Sequence, residues 1–390
     1  MNIIDLIGSI ANGTVIAQFF QGDGWMRLVM IIIGCVFLFL AIKKDFEPYL
    51  LIPIAFGIIL VNIFPEIYIT YDEHGEIVSR GLLGYLHLGV ECELYPCLIF
   101  LGIGATTDFG PLIANKKTML LGAAAQVGIF FAFFGALLLG VFDFYQASSI
   151  GIIGGADGPT AILVSNKMAA ASGNDGLLAG IALAAYSYMA LVPVIFPPVI
   201  RLFTTKKERL IKMEQLREVS KTEKILFPII VTIAVCLIVP SATPLIGCLM
   251  LGNLIKECGV VPNLLNTVAN SLLYICTVLL GLSVGATANG TTFLQLQTLY
   301  VFALGIAAFI AAAISGLLFG KLMCVLSKGK INPMIGAAGV SAVPMAARVV
   351  QKEGQKDDPS NFLLMHAMGP NVAGVIGSAI AAGILMTIFL

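Results

Sequence analysis

A single carboxylate interrupts an apolar stretch of this chain. Asp157 lies in residues 154–160, Gly-Gly-Ala-Asp-Gly-Pro-Thr, and apolar residues flank the motif on both sides. Pro159 lacks an N–H and fixes its own φ, and the glycines beside it weaken a helix. The motif therefore predicts a broken membrane helix with free backbone carbonyls beside a carboxylate. Such backbone is tolerated in a bilayer only inside protein or along a watery cavity, and an ionisable residue there is a functional candidate.

The composition places the whole chain in a membrane. Hydrophobic residues make up 58% of the 390 positions, charged residues 11%, and the mean hydropathy is +0.98. These values are typical of a polytopic helical protein in contact with lipid, and they exclude a soluble enzyme of this size. Lys plus Arg equals Asp plus Glu at 22 each, so nucleic-acid binding is not expected. The eight cysteines lack metal-site spacing, and no motif for ATP hydrolysis or a hydrolase nucleophile occurs.

The apolar segments predict an all-α polytopic membrane protein with roughly 9–11 transmembrane segments in the cell membrane. The loop that follows Arg201 is basic and should be cytoplasmic, whereas Asp143 should lie outside. Two full crossings between them would contradict this, so residues 147–168 are expected to enter from outside and turn back. The predicted parts are N-terminal segments with an external loop (1–93), a first repeat (94–203), a basic cytoplasmic loop (204–224), and a second repeat with the C-terminal helix (225–390).

Two pairs of motifs recur in the same order. Leu-Gly-Ile-Gly-Ala-Thr at 101–106 matches Leu-Gly-Leu-Ser-Val-Gly-Ala-Thr at 280–287, and a Gly/Pro-broken segment follows each, at 151–159 and 336–344. The charges of the flanking loops indicate that the span ending at 101–106 runs inward and the span ending at 280–287 runs outward. This pattern predicts an inverted-topology repeat whose two broken segments meet near the bilayer midplane, where such transporters bind substrate and ion. Chance similarity of Gly/Ala-rich segments is the alternative.

Asp157 needs compensation, because a carboxylate at the centre of a span costs about 2.5–3.5 kcal/mol on insertion scales. A carboxylate with carbonyl and hydroxyl oxygens suits a hard alkali cation. The alternative is an ion pair with Arg348, and the two are compatible if an arriving ion releases the arginine.

The second broken segment carries Asn332, Gly336, Ser341 and Arg348. Asn332 and Ser341 can offer oxygens to a cation, and Arg348 can hold a carboxylate in a bidentate fork. Ser and Asn also commonly cap broken helices, which is the structural alternative.

Two further stretches are open to more than one interpretation. Tyr186 and Tyr188 lie within a span, where a phenol either transfers a proton or packs with a hydrogen-bond partner. Residues 208–223 alternate Glu with Lys and Arg, which predicts a solvated helix or a docking surface.

Five stretches together resemble the β-subunit of the sodium-translocating decarboxylases, the family of oxaloacetate, methylmalonyl-CoA, glutaconyl-CoA and malonate decarboxylases. The matching stretches are residues 102–111, 154–160, 185–193, 332–344 with Arg348, and 366–371. In that family the β-subunit removes CO2 from carboxybiotin and couples this step to outward Na+ pumping with proton uptake.

The resemblance implies Na+ and biotin as cofactors, the biotin being carried by a partner. It implies a complex with a biotinyl carrier subunit, a carboxyltransferase subunit and a small membrane-anchored subunit, in which this chain forms a homo-oligomer. The acid itself is recognised by another subunit.

Site residues follow from the same resemblance. Asp157 matches the essential aspartate, a sodium ligand that can also handle the proton. Tyr188 matches the essential tyrosine, although residues 167–176 can shift that alignment to Tyr186. The implied catalytic residues are Asp157, Tyr188, Ser341 and Arg348, those for carboxybiotin are Asn332, Gly336 and Arg348, and those for the metal are Asp157, Asn332, Ser341 and Asn371.

Two other functions are compatible with the same sequence. A secondary sodium/carboxylate symporter also has inverted repeats and broken helices. A passive anchor for a soluble decarboxylase needs only the membrane segments. The symporter needs no biotinyl partner, and the anchor does not need Asp157.

Overall fold

The computed structural model describes residues 24–44, 48–71, 77–172 and 178–390, together with residues 19 and 22. Helices dominate this part of the chain. The strands within it are β1 (Ile69–Tyr71) and β2 (Ile77–Arg80), which pair antiparallel with Ile69 opposite Arg80. The predicted all-α class is confirmed, and the hairpin is an addition in the loop that was predicted to be external.

Nineteen α-helices are formed by the described residues. The first half contains α1 (Gly24–Lys44), α2 (Pro48–Ile63), α3 (Leu82–Glu91), α4 (Leu94–Thr106), α5 (Gly110–Ala114), α6 (Met119–Ala125), α7 (Val127–Leu138), α8 (Phe144–Gly151), α9 (Gly158–Ser172) and α10 (Leu178–Phe203). The second half contains α11 (Lys206–Arg209), α12 (Lys221–Ile238), α13 (Thr243–Cys258), α14 (Pro262–Asn266), α15 (Leu273–Thr287), α16 (Gly290–Phe293), α17 (Leu296–Leu326), α18 (Met345–Asp357) and α19 (Leu364–Phe389).

Five stretches of described helix are long and apolar enough to cross a bilayer, and a bent pair makes a sixth. They are Gly24–Lys44, Lys116–Leu138, Pro262–Thr287, Leu296–Leu326 and Leu364–Phe389, with Leu82–Glu91 plus Leu94–Thr106 as the bent pair. The predicted membrane location is confirmed. The predicted number of segments is larger because it also includes short and broken helices, such as α2 and the α8–α9 pair.

Two apolar helical stretches are irregular within their length. Residues 82–106 bend by 65° between α3 and α4, where Glu93 adopts a left-handed conformation with φ of 64°. The span Lys116–Leu138 is tightened at Gln126, between α6 and α7. Neither position carries Pro or Gly. Pro96 and Gly128 lie three and two residues further on, so the local signals are displaced from the irregular positions themselves.

The helix predicted over 208–223 is wrong for most of its length. Helix α11 ends at Arg209, and α12 begins at Lys221. The backbone carbonyls of Arg209 and Ile211 accept hydrogen bonds from the side-chain amides of Asn332 and Asn361. These long-range bonds take the carbonyls that a continuous helix would use, so tertiary contacts override the local charge pattern.

The two halves interlock through glycine-lined helix pairs. Helix α2 packs on α15, and α13 packs on α4, so each pair joins one half to the other. A Cβ on Gly57 would lie 3.0 Å from the Cα of Gly285, and a Cβ on Gly252 would lie 2.8 Å from the backbone nitrogen of Ala105. Only residues without side chains allow backbones to approach this closely. The repeated arrangement is consistent with the predicted internal repeat.

The largest buried cluster lies where the two broken segments meet. It contains residues of both segments, including Ile152, Ile153, Ile335 and Val340, and it extends along α17 and α19. A polar site within it is therefore shielded from lipid by helices on several sides.

Candidate functional site

The first break is a short 3-10 helix that ends just before Asp157. This helix covers Ile152–Gly155, and Ala156 then adopts a left-handed conformation with φ of 57°. Helix α9 begins at Gly158, and the Asp157 carbonyl accepts the first bond of that helix from the N–H of Ala161, at 2.9 Å. The left-handed residue separates the 3-10 helix from α9, and the Asp157 side chain beside it is buried in the protein.

Two hydroxyl groups hold the Asp157 carboxylate. Its Oδ2 accepts from Thr160 Oγ1 at 2.6 Å and from Ser378 Oγ of α19 at 2.9 Å. The side chain is 6% exposed. The aspartate thus joins the first break to the last helix, and its carboxylate keeps acceptor capacity for a cation.

The second break meets the first directly. Its 3-10 helix covers Pro333–Gly339, and the chain continues through Ser341 before α18 begins at Met345. The backbone N–H and the hydroxyl of Ser341 both donate to the Gly155 carbonyl, at 3.2 and 2.6 Å. The predicted meeting of two broken segments is confirmed. The Ser341 hydroxyl hydrogen is directed to that carbonyl, so the oxygen lone pairs remain the groups available to a cation.

Asn371 holds the second break in shape. Its Nδ2 lies 3.1, 2.6 and 3.4 Å from the carbonyl oxygens of Ala338, Val340 and Ala342. The residue is fully buried, and its Oδ1 has no hydrogen-bond partner among the described residues. An unpaired buried amide oxygen is costly, so this atom is a candidate cation ligand.

The structure places Asn332 and Gly336 away from Asp157, at the far end of the second break. Both ends of the Asn332 amide are engaged: Nδ2 donates to the carbonyls of Arg209 and Ile211, and Oδ1 accepts from the N–H of Met334. Gly336 packs backbone to backbone on Gly316 of α17, where any side chain would collide. These positions show structural contacts that fit the capping alternative.

Arg348 is on the exposed face of α18. None of the ion pairs formed by the described residues joins it to Asp157, whose carboxylate is bound by hydroxyls instead. The guanidinium is therefore open to a ligand from outside the chain.

Tyr188 is buried against the neighbouring helix α17. Its hydroxyl donates to the Phe302 carbonyl at 2.6 Å, and its ring packs edge-on against Phe302 and Phe309. The side chain of Tyr186 lies outside the described part of the structure, so the choice between the two tyrosines stays open.

Two residues that hold Asp157 were missed by the sequence reasoning. Thr160 lies inside the Asp157 motif, three residues after the aspartate and in the first turn of α9. Asp side chains commonly form local hydrogen bonds at this spacing, so the sequence did contain a signal for this contact. Ser378 lies in a Gly/Ala-rich helix 221 residues away, and nothing in its local sequence marks it.

The site offers one carboxylate with neutral oxygens. Among the described residues, no three His, Cys, Asp or Glu side chains form a group that could bind a metal. A single carboxylate surrounded by hydroxyl and amide oxygens suits a monovalent hard cation better than a divalent or soft metal.

A cavity of about 750 Å³ opens beside the basic loop. Its walls include Asp108 and His366, which belong to two of the five family-like stretches, together with Arg217 and Lys224. From His366, helix α19 leads to Asn371 and then to Ser378. The cavity and the Asp157 site are therefore joined by one helix.

Comparison with known proteins agrees with this geometry. The family described as Na+-transporting oxaloacetate decarboxylase beta subunit matches residues 26–389. The methylmalonyl-CoA decarboxylase subunit beta of Propionigenium modestum is 55% identical, over 95% of this chain and 96% of that protein. The glutaconyl-CoA decarboxylase subunit beta of Acidaminococcus fermentans is also 55% identical, over 93% of each chain. The oxaloacetate decarboxylase beta chain of Klebsiella pneumoniae is 48% identical, over 94% of this chain and 97% of that protein.

The family expected from the five stretches is confirmed over nearly the whole chain, and so is the expected enzyme class. The chain belongs to the beta-subunit family of the Na+-transporting decarboxylases and is a membrane subunit of such a multisubunit enzyme.

Proposed function

We propose that this chain decarboxylates carboxybiotin delivered by a biotinyl carrier subunit and couples the release of CO2 to outward Na+ transport, with a proton taken up from outside. One observation carries the proposal. The buried carboxylate of Asp157 lies where two broken helices meet, bound by neutral hydroxyls and by no basic residue among those described. Such a group can alternate between a cation and a proton.

Asp157 supplies the coupling in this proposal. Bound Na+ favours the ionised carboxylate, and protonation removes the charge that binds Na+. Thr160 and Ser378 donate hydrogen bonds that support the ionised form while the cation is absent. Asn371 adds an amide oxygen, and Ser341 adds hydroxyl lone pairs from the second break.

The decarboxylation step needs a held carboxylate and a proton. When the N–CO2 bond of carboxybiotin breaks, CO2 leaves and the biotin nitrogen takes up one proton, because the biotin anion is a poor leaving group. Arg348 is exposed and can orient the carboxylate through its planar fork. Tyr188 is assigned to the proton route with Asp157. Asn332 and Gly336 shape the second break, through which they support carboxybiotin and the cation.

The cavity beside the basic loop is the proposed approach for the biotin head. It contains Arg217 and Lys224 at its wall, and it lies at the end of α19 that leads to Asn371. The carboxyltransferase and the small membrane-anchored subunit complete the proposed complex, in which several copies of this chain assemble.

The acid that the complex consumes is not set by this chain. Relatives of equal identity, 55%, are named for methylmalonyl-CoA and for glutaconyl-CoA. Equal similarity to relatives that act on different acids is expected of a membrane subunit that handles only carboxybiotin, since the acyl group never reaches it.

Reconstitution in vesicles tests the proposal. The assembled complex should take up radioactive sodium in step with decarboxylation of its acid, and free carboxybiotin should be decarboxylated only when Na+ is present. Full decarboxylation without Na+ would contradict the proposal and favour a passive anchor. Sodium-driven carboxylate uptake by this chain alone would favour a symporter.

A further inference from the structure

Gln126 lies at the middle of a membrane helix, where one turn of the helix is tightened. It separates α6 from α7, ten residues after the first residue of the span Lys116–Leu138 and twelve before its last. A polar side chain at the centre of a span is expensive and commonly functional. The roles assigned above to the Asp157 site do not include this residue.

The Gln126 amide is only half satisfied. Its Nε2 donates to the carbonyls of Gly122 and Gly374, at 3.1 and 3.3 Å. Its Oε1 has no partner among the described residues, although the side chain is 7% exposed. Leaving such an oxygen unpaired costs about 1–3 kcal/mol. Because both partners of this end of the amide are carbonyl oxygens, it must be the NH2 group. The other end is therefore the oxygen, and it is the end without a partner among the described residues.

This free oxygen lies beside the Asp157 contact. A Cβ placed on Gly155 would be 3.7 Å from Gln126 Oε1 and 3.2 Å from Ser378 Cβ. Ser378 donates to Asp157, and Gly155 precedes Asp157 by two residues. The Gln126 oxygen and the Ser378 side chain that bonds Asp157 therefore both lie next to Gly155.

A second unpaired oxygen points to the same ligand. Asn371 Oδ1 is also buried without a partner among the described residues, and Asn371 lies on α19 two turns before Ser378. On a helix, positions 371, 374 and 378 share one face. Gln126 contacts that face at Gly374. Both oxygens can only accept, and both side chains contact the segments that hold Asp157, so a cation can satisfy them where a further acceptor cannot.

We propose that Gln126 Oε1 is a ligand of the transported alkali cation, beside Asp157 and Asn371. The proposal rests on the function proposed above and adds a fourth element to the site, the junction of α6 and α7. Amide oxygens are neutral hard donors, so they suit Na+ without adding a charge that would bind protons. Bound Na+ then connects α6–α7, the first break and α19 through one ion.

Three variants separate a ligand from a structural amide. Gln126→Met removes both the oxygen and the donor. Gln126→Glu keeps an oxygen and loses the neutral donor to Gly374. Gln126→Lys places an ammonium next to Asp157, in the position of the cation. Gln146→Met, in the adjacent helix α8, is the matched control because the Gln146 side chain caps that helix at Asp143.

The measurement is the Na+-dependent rise in unfolding temperature of the purified complex, with K+ as reference, read beside the half-saturating Na+ for decarboxylation. Gln126→Met should raise two quantities by about tenfold or more: the Na+ concentration that gives half of the rise in unfolding temperature, and the half-saturating Na+ for decarboxylation. About tenfold is the lower end of the losses in metal affinity seen when a supporting residue is removed. Gln126→Glu keeps an oxygen ligand, so it should keep a Na+ response, but one that weakens as the pH falls because the added carboxylate can take up a proton. Gln146→Met should respond to Na+ as the unmodified protein does. Gln126→Lys should raise stability without Na+ and abolish the response to Na+.

A Na+ response lost equally, at every pH, in Gln126→Met and Gln126→Glu would overturn the proposal, because what the two variants share is the loss of the donor to Gly374. An unchanged Na+ response in Gln126→Met would also overturn the proposal. A Na+ response retained by Gln126→Lys would do the same, and this second test remains decisive if Gln126→Met does not assemble. Asp157→Asn in the same assay separates the two claims. If it abolishes the Na+ response and the Gln126 variants do not, the ligand assignment alone fails; if it leaves the response intact, the proposed function fails.

Discussion

The two broken segments are alike in outline and opposite in chemistry. The first places Asp157, a carboxylate, after a 3-10 turn and binds it with hydroxyls from Thr160 and Ser378. The second, residues 333–344, contains no ionisable residue. Three of its carbonyl oxygens lie within hydrogen-bond distance of one amide nitrogen, Asn371 Nδ2. The pair therefore combines one charged, titratable segment with one neutral, rigidly held segment.

This difference teaches how a repeat can become a coupling device. If both breaks carried a carboxylate, two like charges would face each other across the Ser341–Gly155 contact, and one would remain protonated. With one carboxylate, a single cation or a single proton satisfies the site. The neutral segment supplies oxygens and geometry.

Replacing the charge of the first break should have the largest effect. Asp157→Asn should reduce sodium transport to that of empty vesicles and lower decarboxylation by at least about a hundredfold, the smaller end of losses for a proton-transfer group. Asp143→Asn, an exposed helix cap that precedes the same break, should retain nearly full activity. Radioactive sodium uptake and CO2 release from one preparation give both numbers. Coupled transport in Asp157→Asn would remove the distinction between the two breaks.

Removing the amide of the second break should act on folding rather than on charge. Asn371→Leu leaves the carbonyls of Ala338, Val340 and Ala342 without their shared donor, so the free energy of unfolding should fall by about 3 kcal/mol or more. Thermal unfolding in detergent measures the loss. Asn270→Leu, at an exposed asparagine of the π-helical turn before α15, is the control and should change little. A stable Asn371→Leu would show that the second break holds its shape without the amide.

Two serines sharpen the comparison further. Ser378 donates to a carboxylate, whereas Ser341 donates to a neutral carbonyl. Hydrogen bonds to charged groups are worth about 1.5–3 kcal/mol and neutral ones about 1 kcal/mol, so Ser378→Ala should weaken Na+ binding more than Ser341→Ala. Na+ titration of both variants compares them, with Ser149→Ala as a control because that hydroxyl bonds its own helix. Equal losses would show that direct ligation by the Ser341 hydroxyl contributes as much to Na+ binding as the Ser378 hydrogen bond to Asp157.

The smallest effect concerns the turn after α18, where Asp358 forms an ion pair with Lys212 of the basic loop. Ser360 and Lys212 hold the pKa of Asp358 at about 2, below its ordinary value, through hydrogen bonds to the charged carboxylate. The stabilisation is therefore present above about pH 4 and is lost as pH falls toward 2. Hydrogen-exchange protection of the loop, corrected for intrinsic rates, should decline over that range. Lys212→Gln should flatten the decline, and an unchanged decline would exclude this ion pair as its cause.

Much of this architecture follows from the sequence because the signals are local. Apolar length located the spans, and Pro with Gly around Asp157 located the first break. The positions that escaped prediction depend on partners far away in the chain. Ser378 meets Asp157 across 221 residues, Asn332 bonds a loop more than a hundred residues earlier, and the Gln126 amide bonds Gly374, 248 residues later. Local pattern contains no information about such pairings, and the helix predicted over 208–223 failed for the same reason.

The glycine-lined pairing of α2 with α15 and of α13 with α4 has a consequence for biogenesis. Helix α2 leaves the ribosome long before α15 exists, so its glycine face must wait in lipid without its partner. The first half inserted alone therefore lacks the surface that completes it. We expect the halves to mature together, with the second half acting as the template on which the first reaches its final packing.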